Sequence, residues 1–331
     1  MERCDRVYQD EISLAPEIVR DFLHYVQVIR GKSKLTVEEY YLDLKTFFRF
    51  IKIHRQMVDK STPWDEIDWS GVDIALIKTI TLSDVYEFMT YCINERGNKA
   101  ATRARKTSTL RTFFGYLTNK MGLLSVNPVQ DLEVPKQQKK LPKYLTLDEC
   151  LELLSVIDGP NRERDYCIMT FFLNCGLRLS ELCGLNLSDI GQDHTLRVVG
   201  KGNKERMVYL NAACLSALEA YLKVRPHDGV IDKKALFLSS RKKRISNKTV
   251  QHMVYVSLEK AGLGNRGMSV HKLRHTAATM MYQHGHVDIR VIKDVLGHEN
   301  LGTTEIYTHL SNAQMEQATS SNPLAQVKPK Q

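Results

Sequence analysis

The sequence predicts a mainly α-helical protein of two domains, with one small antiparallel β-sheet set into the second. Three observations carry that reading. The chain has 331 residues, more than one ordinary compact domain and comfortable for two. Four segments between Pro16 and about Tyr116 space their apolar residues by three and four, the period of an amphipathic helix, with no strand signal among them. One later stretch alternates apolar and polar residues on both sides of a glycine-containing turn, which marks a hairpin.

Taken in order, residues 1–15 are an N-terminal extension and residues 16–119 a helical domain. Its four helical segments are EIVRDFLHYVQVIR, LTVEEYYLDLKTFFRFI, TLSDVYEFMTYCINER and ATRARKTSTLRTFFGYL. A Gly-Lys-Ser turn at residues 31–33 closes the first, and Thr81 with Asp84 makes a capping box for the third. The window of the last segment carries Arg96, Lys99, Arg103, Arg105, Lys106 and Arg111, which suits a helix laid along phosphates but equally a solvated helix face. Residues 120–141, rich in proline and lysine and including Lys139 and Lys140, lack periodicity and read as a basic linker. Residues 142–331 form a second, mostly helical domain. Within it TLRVV and ERMVYL flank the turn GKGNK at residues 200–204, with Lys201 and Lys204 at the tip.

Composition narrows the partners. A net charge of +9 favours an anionic partner, either nucleic acid or a membrane surface. No stretch approaches the run of about eighteen apolar residues that a membrane span needs, and the N-terminus has no apolar run of the signal-peptide kind, so the expected location is the cytoplasm. The seven cysteines form no CxxC pair. Cys167 and Cys175 sit among apolar neighbours, so a disulfide frame or a cysteine zinc site is not expected.

Four pieces of the second domain concentrate polar residues. In NCGLRLSELCG, Arg178 and Glu181 stand one helical turn apart. They are either a surface ion pair or a carboxylate aiming a guanidinium needed elsewhere. The hairpin tip holds Lys201, ordinarily just solvated, yet a lysine can act as a proton donor once its surroundings lower its pKa from about 10.4. In SVHKLRHTAAT, His271, Arg274 and His275 share one face of a helix start. Two histidines at that spacing also match a pair of zinc ligands, although no glutamate lies between them and Arg274 does. The last piece, LGHENLGTTEIYTHL, carries His298 and Tyr307.

Together GLRLSE, GKGNKER, HKLRHTAAT and LGHENLGTTEIYTH, in this order, resemble the catalytic signature of the tyrosine site-specific recombinases (the phage integrase family), closest to the bacterial Xer type. The resemblance extends over essentially the whole chain. It implies a SAM-like helical core-binding domain that clamps DNA, followed by a mixed α/β catalytic domain whose C-terminal tail interacts with a neighbouring protomer. It also implies catalytic roles for Arg178, Lys201, His271, Arg274, His298 and the nucleophile Tyr307, with Glu181 in support. DNA contacts are expected at Arg103, Arg105, Lys106, Lys139, Lys140 and Lys204.

The chemistry fits those residue types. A tyrosine hydroxyl exchanges one phosphodiester for another and conserves the bond energy, so no ATP is needed. Two guanidiniums match the charge that gathers on the non-bridging oxygens, with His298 as a further donor. His271 is placed to accept the phenol proton or to orient the phosphate, and Lys201 is the candidate acid for the leaving 5'-oxygen. With these cations in place no metal or cofactor is expected.

The implied partners are double-stranded DNA with an inverted-repeat site, further copies forming a tetramer, a paralogous recombinase, and a DNA translocase as activator. The expected function is recombination through a Holliday junction, resolving chromosome or plasmid dimers. A phage or transposon integrase shares the same active site, but only about fifteen residues precede the first helix here. A topoisomerase of the same chemistry and a non-catalytic DNA-binding regulator are the other readings.

Overall fold

A computed structural model of the chain describes residues 11–59, 61–133, 143–200, 204–285 and 287–297. The chain divides into two compact units, Met1–Lys139 and Lys140–Gln331.

The first unit is a helical bundle. Helix α1 (Glu17–His24) buries Val19, Phe22 and Leu23. The sequence pattern predicts one helix through Arg30. Instead the path widens into a π-helical turn over Tyr25–Ile29, in which the Arg30 N–H reaches back to the Tyr25 carbonyl at 3.0 Å. Gly31 then leaves the helix at φ +58°. Helix α2 (Lys34–His54) starts at Ser33, whose hydroxyl accepts from the Thr36 N–H. The short α3 (Ile74–Lys78) was not expected from the sequence. Helix α4 (Leu82–Asn94) begins with the expected Thr81–Asp84 capping box, and α5 (Ala100–Asn119) completes the unit. Edge-on phenylalanines lock these helices together. Phe47 of α2 lies 5.1 Å from Phe88 of α4 and 6.3 Å from Phe114 of α5, while Phe22 of α1 lies 5.2 Å from Phe113.

The second unit is built around a helix buried on nearly all sides. After α6 (Leu147–Ser155), capped by Thr146 and Glu149, comes α7 (Arg162–Cys175), which buries Cys167, Ile168, Met169, Phe171, Phe172 and Cys175. Gly176 ends it in the left-handed conformation, φ +58°. Then follow α8 (Leu179–Gly184), β1 (Thr195–Val199), β2 (Glu205–Tyr209), α9 (Ala212–Val224), α10 (Asn247–Lys260), α11 (Val270–Gln283) and α12 (Ile289–Leu296). Helix α7 packs against α6, α9 and α11. The two strands pair antiparallel from Thr195 opposite Tyr209 to Val199 opposite Glu205, as the alternation predicts. The Gly200 N–H closes the ladder on the Lys204 carbonyl at 2.8 Å. Leu196, Val198 and Val208 are buried, whereas Glu205, Met207 and Tyr209 face out.

The six described cysteines, Cys92, Cys150, Cys167, Cys175, Cys183 and Cys214, are all buried free thiols. No helix among the described residues is long and apolar enough to cross a membrane.

Candidate active site

The left-handed Gly176 turns the chain out of α7 so that Arg178 stands at the head of α8 in extended backbone. Its own N–H donates to Glu181 Oε2 at 2.8 Å, and its guanidinium donates to Glu181 Oε1 at 2.6 Å. The Glu181 side chain is 2% exposed, so this is no surface ion pair. The carboxylate caps the helix and aims the guanidinium at the same time. A second cation shares it. Arg206, on β2, donates to both Glu181 oxygens at 2.9 Å each and to the Val295 carbonyl at 2.9 Å. Burial alone would raise the Glu181 pKa, but the Arg206 fork and the Arg178 donors outweigh it and hold the carboxyl at about 2.

Arg274 reaches the same spot from α11. It is 2% exposed and donates to the Gly176 carbonyl at 2.6 Å and the Leu296 carbonyl at 2.5 Å. Arg178 donates to the adjoining Gly297 carbonyl at 2.9 Å. Two guanidiniums from distant parts of the sequence therefore converge on the C-terminal end of α12, whose free carbonyls and negative dipole end attract cations. The approach is tight. A Cβ on Gly176 would stand 2.6 Å from Leu296 Cδ2, and one on Gly297 would stand 3.0 Å from Arg206 Cδ.

One turn before Arg274, His271 lines the cleft with one side exposed and the other covered, and its ring stands 4.6 Å from that of His275, edge to face. Burial depresses the pKa of both histidines. For His271 the positive Arg274 and Arg178 add to the effect, and His275 is pushed down to about 4 by burial together with His271, Arg274 and Lys272. For His271 that direction favours the neutral imidazole, the form able to accept a proton. Among the described residues no group of three His, Cys, Asp or Glu side chains is arranged to hold a metal ion. Arg178, His271 and Arg274 line one cleft of about 580 Å³ between α8, α10 and the start of α11.

The predicted residues therefore fall into three groups. Arg178, Glu181, His271 and Arg274 are brought together. Lys201, His298, Tyr307, Lys139 and Lys140 lie outside the described residues. The remaining basic residues are dispersed. Lys204 is exposed beside the hairpin tip. Arg103 donates to the Asn98 carbonyl at 2.7 Å. Arg105 bridges Glu39 and Asp43 at 2.6 Å each. Lys106 is 7% exposed, with its ammonium 2.9 Å from the buried Asp43. Such a lysine serves the interior of the bundle rather than a phosphate. On the same helix the exposed cation is Arg111, which shares a surface groove of about 410 Å³ with Arg30, Lys120, Ser108 and Asn119.

Arg206 is the site residue that the sequence reading leaves out, since the hairpin there is read only through Lys201 and Lys204. A signal was there. On β2 it alternates in phase with the buried Val208 and Leu210, so it had to point inward and needed a carboxylate.

Two arginines and a histidine sharing one cleft suit the binding of a phosphate, whose oxygens guanidiniums match with charge-assisted bonds. Comparison with known proteins fixes the class. The model of the phage integrase family matches residues 143–314, and the chain belongs to that family, the tyrosine recombinases. It is a DNA strand-transfer enzyme of the site-specific recombinase class.

Its relatives are of the Xer type. The chain is 52% identical over 311 residues to tyrosine recombinase XerC of Caldanaerobacter subterraneus subsp. tengcongensis, covering 94% of this chain and 88% of the relative. It is 35% identical over 305 residues to tyrosine recombinase XerD of Proteus mirabilis, covering 90% of each. Among solved structures it resembles XerH recombinase in a pre-cleavage complex with its difH substrate, at 25% identity and a TM-score of 0.67, over 88% of this chain and 81% of that one.

Proposed function

We propose that this chain is a Xer-type recombinase that cuts and rejoins DNA at an inverted-repeat site and resolves chromosome or plasmid dimers. The convergence of Arg178 and Arg274 on one point of a cleft that also holds His271 supports this reading most directly. The mobile-element alternative is not favoured, because relatives 52% and 35% identical over most of the chain are Xer recombinases.

In the proposed reaction the Tyr307 hydroxyl attacks the scissile phosphorus as the bond to the 5'-oxygen breaks. The phenol proton passes to His271 or to solvent through it, and Lys201 protonates the leaving oxygen. Arg178, Arg274 and His298 bind the non-bridging oxygens, where each donor strengthens as charge develops. The product is a 3'-phosphotyrosyl ester, and a 5'-hydroxyl of another strand reverses the step, giving a Holliday junction after one exchange. Because guanidiniums supply the countercharge, cleavage proceeds in EDTA.

We further propose that residues 16–119 bind DNA, that residues 142–331 carry the chemistry and a C-terminal interaction tail, and that 120–141 link them, with 1–15 as an extension. Four protomers act together in the cytoplasm, including copies of a paralogous recombinase, with a DNA translocase as activator. Incubation with a nicked suicide duplex carrying a candidate site, followed by a denaturing gel, tests the chemistry. A covalent adduct formed by wild type and lost in Tyr307→Phe is expected. A protein that binds a site specifically yet forms no adduct would refute the reading.

A further inference from the structure

We infer that Arg206 is a positioning residue for Arg178: through Glu181 it fixes the guanidinium that faces the phosphate and preserves that guanidinium's positive charge. The inference rests on the recombinase reading above and concerns only residues whose contacts are described.

The geometry is fully inward. All three guanidinium nitrogens of Arg206 are engaged, two as a parallel fork on Glu181 and Nε on the Val295 carbonyl, and the side chain is 13% exposed. A residue so committed is no DNA contact. Its origin is rigid as well, because it stands on β2 directly opposite the buried Val198. One side chain thereby joins the sheet, the head of α8 and the end of α12, the three elements that meet at the arginine pair.

Charge explains why a second cation is needed. Glu181 accepts four hydrogen bonds, two from Arg178 and two from Arg206. One carboxylate between two guanidiniums leaves a net charge of plus one. Facing Arg178 alone, the same carboxylate would neutralise it and weaken its hold on a phosphate in the low-dielectric cleft. With Arg206 present, Glu181 can aim Arg178 without cancelling it. The surrounding backbone accommodates this arrangement at a glycine. Gly297 leaves space for the Arg206 stem, where a Cβ would stand 3.0 Å from Arg206 Cδ.

The test is single-turnover cleavage of a nicked suicide duplex by wild type, Arg206→Met, Arg206→Lys, Glu181→Gln and the Glu181→Gln, Arg206→Met double variant, with site binding and thermal unfolding measured in parallel. Arg206→Met should cleave roughly 10- to 100-fold more slowly, the loss typical of a misplaced catalytic group, with site binding unchanged. Arg206→Lys should recover part of the rate, because lysine restores the charge but not the fork. The double variant should be no slower than Glu181→Gln alone, since the two act as a unit. In Arg206→Met, Glu181 returns toward its ordinary pKa, so acid unfolding should begin at higher pH than in wild type.

Cleavage by Arg206→Met at the wild-type rate would overturn the inference. So would losses in both Arg206 variants that track only their unfolded fraction, with additive effects in the double variant. Absence of any adduct with wild type would overturn the recombinase reading and this inference with it, so the two failures are distinguishable.

Discussion

Each unit of the molecule buries one carboxylate between two basic side chains, and the two clusters serve different ends. Asp43, 1% exposed, takes Lys106 at 2.9 Å on one oxygen and Arg105 at 2.6 Å with Thr109 at 2.8 Å on the other. Its partners stitch α2 to α5. Glu181, similarly enclosed, holds Arg206 inside and leaves Arg178 at the cleft with its side chain 38% exposed. The same electrostatic motif is a rivet in one unit and a gunsight in the other. What decides is what the outer cation meets: Arg105, 37% exposed, is taken up by a second carboxylate, Glu39, at 2.6 Å, whereas the equally exposed Arg178 lines the cleft with His271 and Arg274.

The sharpest way to break this contrast is to remove each carboxylate's function separately. Asp43→Ala leaves the Lys106 ammonium buried without its partner, and a loss of about 3–5 kcal/mol in denaturant unfolding of the chain is expected, as for other broken buried pairs. Arg178→Ala should leave folding largely intact and slow adduct formation roughly 10²- to 10³-fold, the effect of deleting one donor to a developing oxyanion.

Acid separates the clusters further. Glu181 is depressed from 4.5 to about 2, so the stability it contributes is fully present above its unfolded pKa and fades as pH falls through that window. Arg206→Met should narrow the window, read as acid unfolding at higher pH. His271 is depressed below its ordinary value, so an acid limb set by its protonation should have its midpoint below 6.5, the unperturbed value for the group. A rate lost in step with an ordinary histidine would contradict the geometry. The smallest effect is on DNA affinity. Arg111→Ala should lower the salt slope of binding by about 1, as for one lost phosphate contact, while Lys106→Met should leave that slope unchanged and lose stability instead.

Much of the fold and part of the site are legible in the sequence. Thr81 with Asp84, the hairpin around residues 200–204 and the shared face of His271 and Arg274 all follow from short-range periodicity and capping. Misread features have physical reasons. Lys106 looked like part of a basic stripe, but it lies four residues before Leu110 and seven before Phe113, on the buried face of α5, and its direction was set by that phase. The π turn at Tyr25–Ile29 escaped notice because a wider turn keeps a similar apolar spacing over so few residues. Arg206 was hidden by its neighbours, since lysines around a hairpin tip suggest solvent, whereas the alternation of β2 points it inward.

Gly176 gives the fold a point of unusual intolerance. It sits at φ +58° with Leu296 Cδ2 2.6 Å from where a side chain would begin, and its carbonyl carries Arg274. Any replacement would be strained in its own backbone and would also press on the buried Leu296 side chain in the last turn of α12. In a saturation-mutagenesis map of this enzyme, a residue with no side chain to contribute should therefore stand out as sharply as the nucleophile.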